Sequence, residues 1–228
     1  MDLAANLRQI RAEIAAAAAK ANRDSSGIRL VAVSKYKPLA AIEEAAASGQ
    51  LIFGENYVQE LTGKAAAVSV PVEWHFIGHL QSNKVRQIAG LVAMIHSVDR
   101  LSLAEEIDRQ WGKSGGSCPI LVQVNVSGEP TKSGATASEA TALIREIAKL
   151  PNVSVRGLMT MPPFFDDPEG ARPYFRELRE LAAAIAGEAI PGVTMAELSM
   201  GMSGDFRVAI EEGATLVRIG SAIFGERR

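Results

Sequence analysis

The sequence predicts an α/β fold, a single (β/α)8 TIM-type barrel with an extra N-terminal helix, and three observations carry that prediction. Eight short apolar or β-branched runs recur along the chain, segments of helical period separate them, and the alternation continues to the end. Strand and helix in alternation imply parallel strands joined by right-handed crossovers. Eight such units in 228 residues fit a closed barrel better than an open sheet, so one domain spanning 1–228 is expected.

Residues 1–27 precede the first run. Leu3, Leu7, Ile10 and Ile14 trace a 3.6-residue stripe, and the alanine run at 15–19 supplies the best helix former, so a helix packed on the barrel is predicted. The predicted strands are IRLVAVS (28–34), LIFG (51–54), VEWHFIG (72–78), LVAMIHSV (91–98), PILVQVNV (119–126), VSVRGLMTM (153–161), TMAELSM (194–200) and TLVRIGSAIFG (215–225). Between them, segments from LAAIEEAAASG to GDFRVAIEEG have helical composition and period. KSGGSCP (113–119) and SGEPTKSG (127–134) read as loops within the barrel, not as linkers.

A formal charge of −2, from 24 basic and 26 acidic residues, offers no polycationic face for a nucleic acid and no basic amphipathic helix for a membrane surface. The N-terminal stretch lacks the apolar core and cleavage site of a secretory signal, and no run approaches transmembrane length. The single cysteine, Cys118, excludes an internal disulfide and reads as a structural thiol. A cytoplasmic location is expected.

In such barrels the chemistry sits at the carboxyl ends of the strands. The residues there are Ser34-Lys35, Glu55-Asn56, Gly78-His79, Ser97 and Asp99, Asn125, Thr160, Ser199 with Gly201 and Ser203, and Gly220-Ser221. SMGMSGDF and RIGSAIFG follow the seventh and eighth strands, where barrels commonly hold a phosphate on backbone N–H groups. Gly201 and Gly204 permit close backbone approach, Ser203 adds a hydroxyl, and Gly220-Ser221 offers a second set of donors. The plainer reading is a Gly/Ser turn in which Ser203 or Asp205 caps the next helix. The spacing Gly220 to Gly225 is not a P-loop, because Glu226 replaces the lysine.

A lysine at the end of a buried strand, as Lys35 is, can lose its proton and act as an imine-forming amine; the alternative is a rim lysine that snorkels to water. Lys37 precedes Pro38 and is expected in the loop, facing solvent. Arg218, inside TLVRIG, either pairs with an acid in the helix layer or points into the barrel mouth toward a ligand acceptor. An imine lysine, a phosphate cradle and an arginine together answer the aldehyde, phosphate and ring nitrogen of pyridoxal 5'-phosphate (PLP). His75, His79 and His96 with Asp99 form a rival divalent-metal set. Its weakness is spacing: residues four apart meet on a helix, not where a strand becomes a loop.

The blocks AVSKYKP, FGENYVQE, WHFIGHLQSNK, SVD, VNVSGEPTKSG, GLMTMPP, LSMGMSGDF and EEGATLVRIGSAIFGER span the chain. In that order they resemble the pyridoxal phosphate homeostasis proteins, barrels similar to the N-terminal domain of bacterial alanine racemase (fold type III). The resemblance implies a covalent Schiff base from Lys35 to PLP and Arg218 as partner of the pyridine nitrogen. It also implies Ser203, Gly204, Gly220 and Ser221 around the phosphate, Asn56 near the ring hydroxyl or face, Met200 lining the pocket and His79 near its rim.

The implied function is that of a monomeric carrier of PLP, acting in vitamin B6 and amino-acid homeostasis and delivering the cofactor to apo PLP-dependent enzymes. An arginine at the pyridine nitrogen weakens the cofactor as an electron sink, which disfavours transamination. The alternative is an amino-acid racemase of relaxed specificity. Against it, Tyr36, Tyr57 and Tyr174 all fall within the barrel and the chain stops at Arg228, so a second base is not evident. A class I aldolase acting on a phosphorylated sugar also explains the lysine and the cradle, but leaves Arg218 without a task.

Overall fold

Each predicted run forms a strand, and eight parallel strands close on themselves. The structure, a computed structural model, describes residues 2–129 and 133–225. The centre of the SGEPTKSG loop, Glu226 and Arg228 lie outside the described residues. The strands are β1 (Arg29–Val33), β2 (Ile52–Glu55), β3 (Glu73–Phe76), β4 (Met94–Val98), β5 (Cys118–Asn125), β6 (Ala135–Thr136), β7 (Val153–Met159), β8 (Glu197–Ser199) and β9 (Leu216–Ile219). Their order is β4-β3-β2-β1-β9-β8-β7-β5, and the β4–β5 pairing closes the ring; the two-residue β6 pairs with β5 outside it.

The helices are α1 (Leu3–Lys20), α2 (Leu39–Ala47), α3 (Val58–Ala67), α4 (Val85–Ile88), α5 (Leu101–Gly112), α6 (Ala137–Ile147), α7 (Arg172–Gly187), α8 (Phe206–Glu211) and α9 (Ser221–Phe224). α1 buries Leu3, Leu7, Ile10, Ile14, Ala17 and Ala18 and packs against α2, α8 and α9. The Asp2 carboxylate caps it, accepting from the Ala5 N–H at 2.8 Å. It ends at Lys20, short of residue 27, and residues 25–27 form a separate 3-10 turn.

One run divides. TLVRIGSAIFG is strand only to Ile219, and its second half turns into α9, with Ile223 and Phe224 buried. An unbroken apolar run suits a buried strand and a buried helix equally, so periodicity does not separate them.

Strand alternation decides what enters the lumen, because successive side chains point to opposite faces. Along β1, Leu30 and Ala32 join the apolar layer beneath the helices while Val31 joins the interior cluster of Met94, Leu121, Met159 and Leu216. Two-residue steps from Val31 reach Val33 and then Lys35, both in the wall of a pocket at the barrel mouth. Along β9, Val217 and Ile219 face the helices, so Leu216 and Arg218 face inward. His75, His96 and Ser199 are fully buried and Arg218 is only 4% exposed. An unsatisfied buried polar group costs roughly 1–3 kcal/mol, so this polar part of the lumen must find partners internally.

Candidate functional site

A pocket of about 550 Å³ opens at the carboxyl ends of the strands. Val33, Lys35 and Lys37 line it from the β1 side, residues 202–205 from the loop after β8, and Arg218, Gly220 and Ser221 from β9 and the turn into α9. Residues 161–165, Met-Pro-Pro-Phe-Phe, form an apolar wall after β7.

Lys35 is half-buried, and its ammonium nitrogen has no hydrogen bond or ion pair among the described residues. The backbone on either side of it is clamped. The Ser34 hydroxyl donates to Glu55 Oε1 at 2.7 Å, and the Tyr36 N–H donates to Glu60 Oε1. Lys64 Nζ, on α3, donates to the Ser34 carbonyl oxygen, to Glu55 Oε1 and to Glu60 Oε1 at 2.7, 2.7 and 2.6 Å. Tyr36 itself sits in the left-handed region, φ 62°, which turns the chain away after Lys35. Burial raises the Glu55 carboxyl above its ordinary range, against the opposing pull of hydrogen bonds from Lys64 and Ser34.

Lys37 does not face solvent as expected. It is half-buried, and its Nζ donates to the carbonyl oxygens of Phe224 and Gly225 at 3.0 and 3.1 Å, satisfying the end of α9.

Asp205 stands at the N-cap of α8, as one of the two expected candidates, but its side chain makes no capping hydrogen bond to the helix. Asp205 Oδ1 accepts from the Met202 N–H at 2.6 Å and so closes the loop on itself, while Ser203 Oγ accepts from the Ala222 N–H at 3.4 Å and ties this loop to α9. Burial raises the Asp205 carboxyl, with the Met202 N–H and Arg218 working the other way. The backbone N–H groups of Ser203, Gly204 and Ser221 have no partner among the described residues. Gly201 has φ +90°, and a Cβ there would come within 2.6 Å of the Ala209 Cβ, so the loop can pass over α8 only with glycine. A Cβ on Gly204 would meet no atom within 4 Å, which leaves open space where the loop faces the pocket.

Among the described residues no carboxylate is hydrogen-bonded to Arg218. Its Nη1 donates to Ser199 Oγ at 2.6 Å and its Nη2 to the Thr160 carbonyl oxygen at 2.8 Å, which leaves the Nε–H and one N–H on each terminal nitrogen without a partner among the described residues, and the residue lines the pocket. Burial pushes its pKa down to about 10, offset in part by Asp205, and the group stays a cation at neutral pH.

Three other expected residues are not in the pocket wall. Met200 is fully buried in the apolar layer under the helices: with Ser199 facing the lumen, its neighbour must face outward. His79 is exposed in the loop after β3. Asn56 continues the inward alternation of Ile52 and Gly54, and its Oδ1 is buried without a hydrogen-bond partner among the described residues. The rival metal set does not assemble. His75 Nδ1 and His96 Nε2 bond each other at 2.8 Å, Asp99 pairs with Arg100 at 2.7 Å, and the described residues hold no group of three metal-ligating side chains.

The sequence reading missed Lys64 and Glu60. The available signal was Glu55 itself, an acid ending a buried strand, which demands a cation from the next helix.

Comparison with known proteins accords with the barrel fold. The family model of the alanine racemase N-terminal domain matches residues 3–228. A pyridoxal phosphate homeostasis protein of Aquifex aeolicus is 44% identical over 229 residues, covering 100% of each chain. One of Escherichia coli is 43% identical over 230 residues, 99% of this chain and 97% of that one. The solved structure of PipY of Synechococcus elongatus, with PLP bound, superposes with a TM-score of 0.86 at 36% identity over 98% of this chain and 100% of that one. Alanine racemase of Clostridium difficile, at 15% identity and a TM-score of 0.75 over 99% of this chain and 57% of that one, shares the fold. With the domain model matched over residues 3–228 and relatives of this identity covered over their whole length, the chain belongs to the pyridoxal phosphate homeostasis protein family.

Proposed function

We propose that this protein binds PLP through a Schiff base to Lys35 and acts as a carrier that holds and releases the cofactor. The observation that carries the reading is convergence: the unpartnered Lys35 amine, Arg218 and the loops with the open N–H groups of Ser203, Gly204 and Ser221 line one pocket of about 550 Å³. When bound, PLP supplies an aldehyde carbon for an amine and a ring that withdraws electrons. Lys35 supplies the amine. The loops after β8 and β9 receive the phosphate on backbone N–H groups, and the clearance at Gly204 admits its oxygens. Arg218 donates to the ring nitrogen, keeping a proton off it. The 161–165 wall shields one side from water.

The carrier reading is favoured over racemisation by the tyrosines. Tyr36 and Tyr57 bond each other through their hydroxyls at 2.5 Å at the exposed rim, and neither lines the pocket; Tyr174 stacks on Phe165. No described tyrosine is placed opposite Lys35 as a second base. The test incubates PLP-loaded protein with an apo PLP-dependent enzyme and follows recovery of that enzyme's activity, and separately follows optical rotation of single-enantiomer amino acids. Transfer without racemisation is the expected result; racemisation at roughly 1 per second or faster contradicts it.

A further inference from the structure

The barrel lumen holds two histidines that the cofactor pocket does not touch, and they are not isolated. Glu73 Oε1 lies 2.8 Å from His75 Nε2, His75 Nδ1 lies 2.8 Å from His96 Nε2, and His96 Nδ1 lies 2.9 Å from Ser199 Oγ. Ser199 Oγ in turn accepts from Arg218 Nη1 at 2.6 Å. The chain of contacts starts at a glutamate 44% exposed at the start of β3, crosses from β4 to β8, and ends at the arginine in the pocket wall. Its three inner members are fully buried.

Proton accounting fixes the direction. Arginine only donates, so Ser199 Oγ accepts from Arg218, and among the described residues the hydroxyl proton has His96 Nδ1, at 2.9 Å, as its acceptor. His96 then carries its proton on Nε2 and donates to His75 Nδ1. His75 carries its proton on Nε2 and donates to the Glu73 carboxylate, which only accepts when ionised. Both histidines are neutral in this arrangement, and every proton has an acceptor within the chain. Reversing it would leave the Ser199 hydroxyl proton without one of these acceptors. Burial first, with the cations Arg218 and Arg29 acting in the same sense, holds His96 well below its ordinary range, and the hydrogen bond from His75 holds the Glu73 carboxyl low. Arg29 is itself paired with Glu197 at 2.7 Å.

We propose that Glu73, His75, His96 and Ser199 are positioning residues: a one-directional hydrogen-bond relay across the lumen that holds Arg218 and tunes its donation into the pocket. A buried cation needs compensation, and here it comes from aligned dipoles that lead to a carboxylate at the opposite end of the barrel. Arg218 is hydrogen-bonded to no carboxylate among the described residues, and Asp205 offsets its burial only in part, so its charge stays available to the ligand. The part of the proposal that concerns the cofactor rests on the reading that Arg218 meets the ring nitrogen of PLP.

The experiment has two arms. In ligand-free, 15N-labelled protein, imidazole spectra should show His75 and His96 neutral with the proton on Nε2. Ser199→Ala should then move the signals of His96, His75 and the Arg218 Nε–H together. A proton on Nδ1 of either ring, or a His75 signal unmoved by Ser199→Ala, overturns the relay whether or not PLP binds. In PLP-loaded protein, Ser199→Ala should raise the Kd for PLP by about tenfold and shift the visible absorption band, with Ser199→Thr restoring both. Glu73→Gln, far from the ligand, should shift the band in the same sense without lowering the melting temperature. An unchanged band in both variants, beside altered melting alone, would reduce the histidines to core filler and overturn the proposal. Failure of the parent protein to take up PLP would sink the cofactor reading, while the first arm still decides the relay.

Discussion

The Lys64 ammonium donates to the Ser34 carbonyl oxygen at 2.7 Å, joining helix α3 to the residue that precedes Lys35. It also ties Glu55 and Glu60, one bonded to the Ser34 hydroxyl and the other to the Tyr36 N–H, so one buried cation fixes the backbone on both sides of the amine. Lys64→Met should leave two carboxylates facing each other without a cation. Loss of one partner from a buried pair typically costs about 3–5 kcal/mol. Urea unfolding should show destabilisation of that order, and PLP titration should show retention weakened by roughly tenfold as the Lys35 loop loosens.

Arg218→Lys should not substitute for the arginine. A lysine has one nitrogen where the guanidinium holds Ser199 and the Thr160 carbonyl from two and has further N–H groups to spare. Hydrogen bonds to charged groups contribute about 1.5–3 kcal/mol, so Kd for PLP should rise by roughly ten- to a hundredfold, read from equilibrium dialysis. Arg218→Lys that binds as tightly as the parent would remove Arg218 from the site.

Acid stability should depend on Glu212. It is 4% exposed and meets Arg172, Arg176 and Arg179 at 3.0, 3.0 and 2.9 Å. Burial acts to raise its carboxyl, but hydrogen bonds from Arg176 and Arg172 outweigh that and hold it below the ordinary range. A carboxylate with a depressed folded pKa stabilises the fold above the unfolded value, near about 4.3, and that stabilisation disappears as pH falls through the folded value. Glu212→Gln should cost about 2 kcal/mol at neutral pH, and melting curves of the two proteins should converge only as pH falls below the ordinary carboxylate range.

Gly201→Ala should damage the loop after β8 through shape alone. Its φ of +90° and the 2.6 Å approach of the new Cβ to Ala209 leave no relaxed position. Chemical denaturation should show a loss of about 1–3 kcal/mol or more, accompanied by weaker binding of the cofactor phosphate.

Much of this was written into local sequence. The eight strands announced themselves by β-branched content, and Lys35 and Arg218 by the cost of placing charge at or within a buried strand. Met200 was misplaced although alternation alone would have set it right: Ser199 and Met200 cannot both face the lumen. Helix α9 was hidden because SAIF is as apolar as a strand. The Lys64 clamp and the histidine relay were illegible for a different reason. They join residues 30 and 103 positions apart, and only barrel closure decides that Lys64 meets Ser34 or that His96 meets Ser199. Lys37 followed the same rule, its solvent exposure forestalled by α9 from the far end of the chain.

The most direct test of the central claim is chemical trapping of the cofactor. Protein incubated with PLP, reduced with borohydride and digested should carry the pyridoxyl group on the peptide containing Lys35. Lys35→Ala should lose the adduct and the visible band, while Lys37→Ala keeps both. An adduct on Lys37, or a band that survives in Lys35→Ala, would contradict the account.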